Sequence, residues 1–296
     1  MGTGGDTYVV GRQLRSSGGI ILHLGENQFH IDPGPGALTK AKEYGISLRA
    51  TTAILVSHAH MNHGNDVNAV IDGMTYRGFD KKGVLLGSES VVNGYLSYPP
   101  VVNQFYKNCL ERFIVVRPLQ RVAINEIEIQ MLPCDHTDPS AVGFKFFTPE
   151  FTLVYSGDTK FSKKIIESYK NSKIVILNVV SQKGDGKNLS VADAIKIVNE
   201  VRPRLCILTH FGISMLEADP LSISREIYKE TGVDTIAAKD GMIVNPLSYS
   251  VSQGQTTLNP YTPPREIEVK EILKEIDIEK ALEENKTLNE LFGAKQ

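Results

Sequence analysis

Apolar positions at the start of the chain fall in short β-rich runs separated by glycine turns. YVVG, GGIILHLG and NQFHIDPGPG read as two or three paired strands closed by a tight turn. The spacing becomes helical over ALTKAKEYG and stops at Gly45. TTAILVSH is an unbroken apolar run that predicts a buried strand, and GVLLG predicts another, followed by a helix and a break at Pro99 and Pro100. RFIVVRP, VAINEIEIQMLP, AVGFKFFTP and FTLVYSGD are again strand-like, and EIEIQM alternates with a period of two. Helical and strand patterns then take turns through SKKIIESYK, KIVILNVV, SVADAIKIVNEV, RLCILTHFG, SISREIYKETG and DTIAAKDGMIV. Strands followed by helices, repeated in each half, predict an α/β protein of two similar layers packed face to face.

The pattern changes near residue 250. A polar, proline-containing stretch leads to a segment rich in Glu, Lys, Ile and Leu, where Ile278, Leu282, Leu288, Leu291 and Phe292 recur at helical spacing before Gly293. This divides the chain into a domain over residues 1–250 and, over 251–296, a linker with a C-terminal helical extension. The extension either docks on its own domain or forms a contact in a homo-oligomer.

Composition narrows the setting. A formal charge of −2 gives no general attraction to nucleic acid. Cys109, Cys134 and Cys206 are odd in number and far apart, which argues against a disulfide framework or a cysteine zinc knuckle and fits a reducing compartment. The first residues lack the basic and apolar regions of a signal peptide, and the longest apolar run, KIVILNVV, is too short to span a bilayer. The expectation is a cytoplasmic protein with no membrane partner. Tyr95, Tyr98, Phe105 and Tyr106 form an aromatic concentration that reads either as core or as the wall of a substrate pocket.

The candidate chemistry begins at the end of TTAILV, where SHAHMNHG places His58, His60 and His63 within six residues. Loops that leave the carboxyl ends of such strands are where active residues belong. Imidazole is a neutral ligand suited to zinc, iron or manganese, and an HxHxxH loop can aim two side chains at one ion and the third at a neighbour. His136 in CDHTDPSAVG, Asp158 in YSGDT and His210 in LTHFG stand at later predicted strand ends, whereas His23 and His30 lie within strand patterns and read as structural.

In order and approximate spacing, this series resembles the ligand set of the metallo-β-lactamase superfamily, over about residues 2–247. The resemblance implies a four-layer αββα sandwich, with two mixed sheets packed face to face and helices outside. It also implies that His58, His60 and His136 hold one metal and that His63 and His210 hold a second, with Asp158 between them. The family's loop reads HxHxDH, and its Asp is a ligand of the second ion; here Asn62 takes that place. An amide oxygen can coordinate but brings no charge within about 2 Å of the ion, so the second site should be weaker. The amide is either a natural device for a softly held ion or an inactivating change.

GTGG near the amino terminus, HIDPGPG, HTDPSAVGFKF, YSGDT and AAKDGMIV look most like the ribonuclease Z and phosphodiesterase branch. That branch's His-Glu pair is missing near NVVSQKGDG, where Asn178 and Ser181 stand, and its long glycine-proline arm has no counterpart. Transfer-RNA processing is therefore not implied, while phosphoester hydrolysis is. Asp32 or Asp135 would orient a ligating histidine from behind, Asp32 alternatively capping a turn before Pro33.

The resulting expectation is a hydrolase that uses metal-bound hydroxide on a phosphoester, in a nucleic acid or a small molecule. It would need one or two divalent ions, zinc first and manganese or iron as alternatives. Asp158 and His210 are the expected catalytic side chains, and Tyr155 is a further candidate donor to the reacting oxygen. A lactonase or organophosphate hydrolase is the near alternative, and a catalytically impaired metal-binding scaffold the remote one.

Overall fold

The computed structural model describes residues 1–250; the linker and terminal helices predicted for 251–296 lie outside the described residues. The first sheet contains β1 (Ile20–Leu24), β2 (Asn27–Ile31), β3 (Thr51–Val56), β4 (Val84–Gly87) and β5 (Arg112–Val115), in that order. β1 and β2 are an antiparallel hairpin, and β2 to β5 run parallel. The second sheet is built from β6 (Arg121–Ile124), β7 (Ile127–Pro133), β8 (Val142–Phe147), β9 (Thr152–Tyr155), β10 (Ile174–Ser181), β11 (Leu189–Ser190), β12 (Leu205–Thr209) and β13 (Asp234–Ala237). Its order is β13-β12-β10-β9-β8-β7-β6, with the short β11 paired to β10.

Side-chain alternation along each strand builds the layers. Phe29, Ile31 and Leu55 of the first sheet meet Ile129, Phe144, Phe146 and Ile176 of the second in one central core. Phe29 and Phe146 touch edge to face across the two sheets, with centroids 5.6 Å apart. The alternate residues face outward: Ile54, Val56 and Leu85 pack with Val70, Ile71 and Met74 of the helix Val67–Thr75. On the other side, Val175, Leu177, Cys206 and Leu208 pack with Ala194, Ile197 and Val198 of the helix Val191–Val201 and with Ile223 and Ile227 of the helix Pro220–Thr231. The four-layer αββα sandwich is the predicted one. KIVILNVV lacks a polar face because β10 is covered on both sides. Each fully buried aliphatic or aromatic side chain contributes about 1.5–3 kcal/mol.

Local signals set the ends of the helices. Ser190 and Asp193 form a reciprocal capping box at the start of Val191–Val201. Asp219 caps the next helix, Pro220 opens it, and Gly232 closes it with a left-handed backbone. YVVG departs from its predicted strand, because Thr7–Gly11 is a helix. The Asp6 carboxylate accepts from Val9 N at 2.8 Å and from Ile213 N at 2.8 Å, so a cap and a distant anchor override the β propensity of Val9 and Val10. No helix among the described residues is long and apolar enough to cross a membrane.

β7 runs antiparallel to β8, and β8 antiparallel to β9, so β7 and β9 point the same way. The carboxyl ends of β7, β9, β10 and β12 therefore share one edge of the second sheet. Those of β2 and β3 share one edge of the first. Asp32, His58, His136, Asp158 and His210 all follow such ends in sequence.

Candidate metal centre

The loop after β3 delivers three imidazoles in two directions. His58 and His60 precede the short helix Met61–Gly64, which carries His63. His58 Nε2 lies 2.9 Å from His60 Nδ1, and His136 Nε2 lies 3.2 Å from the same atom. His63 is turned the other way, with its Nε2 3.1 Å from His210 Nε2. Asp158 Oδ2 stands between the groups, 3.2 Å from His63 Nε2, 3.3 Å from His210 Nε2 and 3.9 Å from His136 Nε2. The residues the sequence places in each group are the ones brought together here.

The far nitrogens of the imidazoles are held by oxygens. His58 Nδ1 meets Ser57 Oγ at 3.0 Å, His63 Nδ1 meets Asp32 Oδ2 at 2.8 Å, and His60 Nε2 meets the Tyr98 hydroxyl at 3.1 Å. Protons on those nitrogens leave the inward lone pairs of His58 and His60 free. Asp32 is buried and also accepts from Ser57 N at 2.7 Å, Ser57 Oγ at 2.7 Å and the Tyr155 hydroxyl at 2.7 Å. Asp32 (φ 51°) and His210 (φ 62°) both occupy the left-handed region, a strained conformation for residues with a Cβ that the surrounding packing must enforce. At His210 the amino-terminal segment does so: Phe211 N donates to Thr3 O at 2.7 Å, and Gly5 N donates to Phe211 O at 2.9 Å. A Cβ on Gly5 would lie 2.1 Å from the His210 carbonyl oxygen, so only glycine fits there.

This donor set fits a metal. Lone pairs that face each other repel unless a proton or a cation lies between them, and a tetrahedral ion with bonds of about 2.0–2.1 Å spaces its ligand atoms about 3.3 Å apart. The inward contacts of 2.9 and 3.2 Å in one group, and 3.1 to 3.3 Å in the other, are close to that spacing. Burial holds His58 well below the usual imidazole range, with nearby imidazoles adding to it, and it pushes His60 down to about 4 and His136 down as well. These three imidazoles are therefore neutral at neutral pH, with lone pairs to offer. Burial also works against a charged His63, but the carboxylates of Asp158 and Asp32 outweigh it and raise His63 to about 10. Burial would raise Asp158, yet His210 and His63 draw it well below the usual carboxylate range. With His63 protonated, its two flanking carboxylates leave one net negative charge, which a divalent ion replacing that proton would neutralise.

Other expected residues lie differently. Asn62 is half-buried, and its Nδ2 donates to Gly5 O at 2.7 Å while facing His210 Nε2 at 3.1 Å. An amide nitrogen has no lone pair to give a metal, so in this arrangement Asn62 donates a hydrogen bond beside the second group in place of the predicted ligand oxygen. Tyr155 donates to Asp32, accepts from Asn178 Nδ2 at 3.1 Å and is buried, so its proton is not aimed at a reacting oxygen. Asn178 Nδ2 also donates to Asp158 Oδ1 at 2.8 Å, which fixes the carboxylate between the groups. Of the two carboxylates offered as orienting groups, Asp32 takes the role and Asp135 is an exposed partner of Lys160. His30 is buried with Nε2 2.9 Å from Gly18 O, and His23 is exposed on β1.

Asp138 carries a role that sequence reasoning missed. Its Oδ2 accepts from Ala59 N at 2.9 Å and from Ser90 Oγ, and its Oδ1 accepts from Ser140 N at 2.9 Å. The carboxylate thus pins the backbone between His58 and His60 to the loop that carries His136. Burial would raise its pKa, but these hydrogen bonds hold it below the usual range. The visible signal is its place in HTDPS, two residues beyond His136. Of the aromatic concentration, Tyr98 reaches the centre, while Phe105 is 49% exposed and meets Tyr106 edge to face at 5.1 Å.

Comparison with known proteins agrees with this geometry. The family described as beta-lactamase superfamily domain matches residues 27–211. The uncharacterized protein MJ1374 of Methanocaldococcus jannaschii is 32% identical over 252 residues, which is 84% of this chain and 94% of that protein. Ribonuclease Z of Methanopyrus kandleri is 24% identical over 178 residues, 59% of this chain and 58% of that enzyme. Among solved structures, the metallo-beta-lactamase fold protein YhfI from Bacillus subtilis superposes with a TM-score of 0.63 at 18% identity, over 75% of this chain and 88% of that one.

Proposed function

The chain belongs to the beta-lactamase superfamily, and on that premise we propose that it is a metal-dependent hydrolase of phosphoester bonds. The observation that carries the reading is the convergence of two imidazole groups on one carboxylate oxygen, Asp158 Oδ2. His58, His60 and His136 would hold one divalent ion, and His63, His210 and Asp158 a second. Imidazole and carboxylate donors at this spacing favour zinc, with manganese and iron as the other candidates. When bound, such ions make water acidic enough to attack near neutrality and polarise the oxygen of the bond to be cleaved.

The chain's own residues do the positioning. Asp32 keeps a proton on His63 Nδ1 and, through Ser57, influences His58. Asn178 steadies Asp158, and Asp138 fixes the loop between His58 and His60. The turn over residues 181–188 borders the centre, with the Lys187 carbonyl 3.4 Å from His136 Nδ1 and with Lys183 and Lys187 exposed. That turn carries Lys183 and Lys187 against Asp185, one net positive charge, which suits an anionic phosphoester better than a neutral lactone. The likeness to a ribonuclease Z supports the same class of bond, in a small molecule or a nucleic acid.

The test is turnover of a bis-aryl phosphate and of a simple lactone by the full chain, with and without chelator, alongside elemental analysis of the purified protein. Phosphodiester cleavage abolished by chelator is the expected result. Lactone cleavage alone would replace this reading with the lactonase, and absence of both bound metal and turnover would make the protein a scaffold.

A further inference from the structure

The rim of the first imidazole group carries a phenol outside the proposed ligand set, that of Tyr98. His60 Nδ1 faces His58 Nε2 at 2.9 Å and His136 Nε2 at 3.2 Å, so for that lone pair to be available the ring proton must sit on Nε2. His60 Nε2–H then donates outward, with the Tyr98 hydroxyl at 3.1 Å and Thr137 Oγ1 at 3.3 Å as acceptors. A hydroxyl that accepts from an imidazole still holds its own proton, and no acceptor for the Tyr98 proton is found among the described residues. Accepting a hydrogen bond also polarises the O–H and strengthens it as a donor.

The backbone that carries the ring is held in a turn. Tyr95 N donates to Tyr98 O at 2.9 Å, and Tyr98 N returns a bond to Tyr95 O at 3.0 Å, closing a tight turn. Gly94, at φ +79°, starts it where a Cβ would come within 2.9 Å of the Tyr98 carbonyl and of Pro100. Tyr98 itself is half-buried, and its ring centroid lies 5.8 Å from that of His60. A group held this way needs little reorganisation to meet charge that develops beside the ligands.

We infer that Tyr98 is a catalytic residue of this hydrolase, its hydroxyl donating to a non-bridging phosphoryl oxygen as negative charge builds there; the inference rests on the phosphoester reading. Tyr98 keeps its proton throughout. The P–O ester bond breaks, water gives hydroxide to phosphorus, and the water's other proton goes to the leaving oxygen.

Tyr98→Phe retains the ring and removes the donor. With bis-aryl phosphate as substrate and the full metal-loaded chain, kcat should fall about 10- to 100-fold with little change in KM. Inorganic phosphate, measured by calorimetry, should bind more weakly. Metal affinity in chelator competition should stay within about twofold of the parent, because Thr137 still accepts from His60. Unchanged kcat would overturn the inference. So would a fall in kcat matched by a loss of metal affinity, since Tyr98 would then act only by orienting His60. Tyr98→Leu, which also lacks the hydroxyl, should repeat the kcat loss if the phenylalanine variant folds poorly. A parent protein with no chelator-sensitive phosphodiester cleavage would instead sink the substrate reading, before any variant is compared.

Discussion

The two halves of the metal centre are built from similar side chains but differ in charge. His58, His60 and His136 are neutral imidazoles, pushed down in pKa chiefly by burial, so they offer lone pairs without first losing protons. His63 sits between Asp32 and Asp158, which hold a proton on it up to about 10 against the effect of burial. On that side Asn62 supplies an N–H where the family has a carboxylate. An ion at the first group therefore fills a prepared site, whereas an ion at the second must displace a proton and does without one negative ligand. If both groups hold an ion as proposed, the two sites would differ in affinity and in pH dependence although histidine dominates each.

The severest way to break this comparison is to remove a ligand of the prepared side. His60→Ala should lower chelator-sensitive turnover on the order of a thousandfold, several kcal/mol of transition-state stabilisation, and reduce metal content in elemental analysis. Asp32→Asn acts on the other side: it weakens the support of His63 Nδ1, and affinity for the second ion should drop about 10- to 100-fold while the first is largely retained. Stepwise metal titration separates the two. Asn62→Asp restores a negative group and should tighten the second ion about tenfold. A variant with the parent's metal stoichiometry and activity would remove the charge argument.

Proton linkage sharpens the same contrast. Binding of the second ion should release about one proton at neutral pH, visible as a buffer-dependent heat in titration calorimetry, and should weaken as pH falls below about 10. Binding of the first should release almost none until the pH approaches the depressed range of His60, about 4. In the metal-free protein, His60 protonates more readily in the unfolded chain, near 6.5, than in the fold. The folded state then binds fewer protons, and stability present above 6.5 is lost as pH falls toward about 4. His63 has the opposite sign: its contribution is complete below 6.5 and disappears as pH rises through about 10. Denaturant melts across this range test both. The smallest effect belongs to His23→Ala, which should change stability by no more than about 0.5 kcal/mol and leave metal content unchanged, because the residue is exposed on β1.

Much of the site was legible in the chain because its ligands follow strand ends. TTAILV has the apolar pattern of a buried strand, and HxHxxH follows it directly, so the histidines could be placed at an active edge before any contact was known. The same logic placed His136, Asp158 and His210 at later strand ends, the order of strands and helices predicted two facing layers, and the family resemblance supplied the four-layer sandwich and the grouping of the histidines. Strand ends and element order are local properties, set by the two-residue period of a strand and by which faces are covered. The tertiary structure decided everything that depends on a distant partner. Asp6 bonds to Ile213 and turns YVVG into a helix, and the carbonyl of Gly5 captures the amide of Asn62. Asp32 draws the hydroxyl of Tyr155 away from the reacting centre, and Asp138 reaches back to Ala59. Residue type fixes what a side chain can donate or accept, but the direction in which it does so follows from the neighbours that folding brings to it.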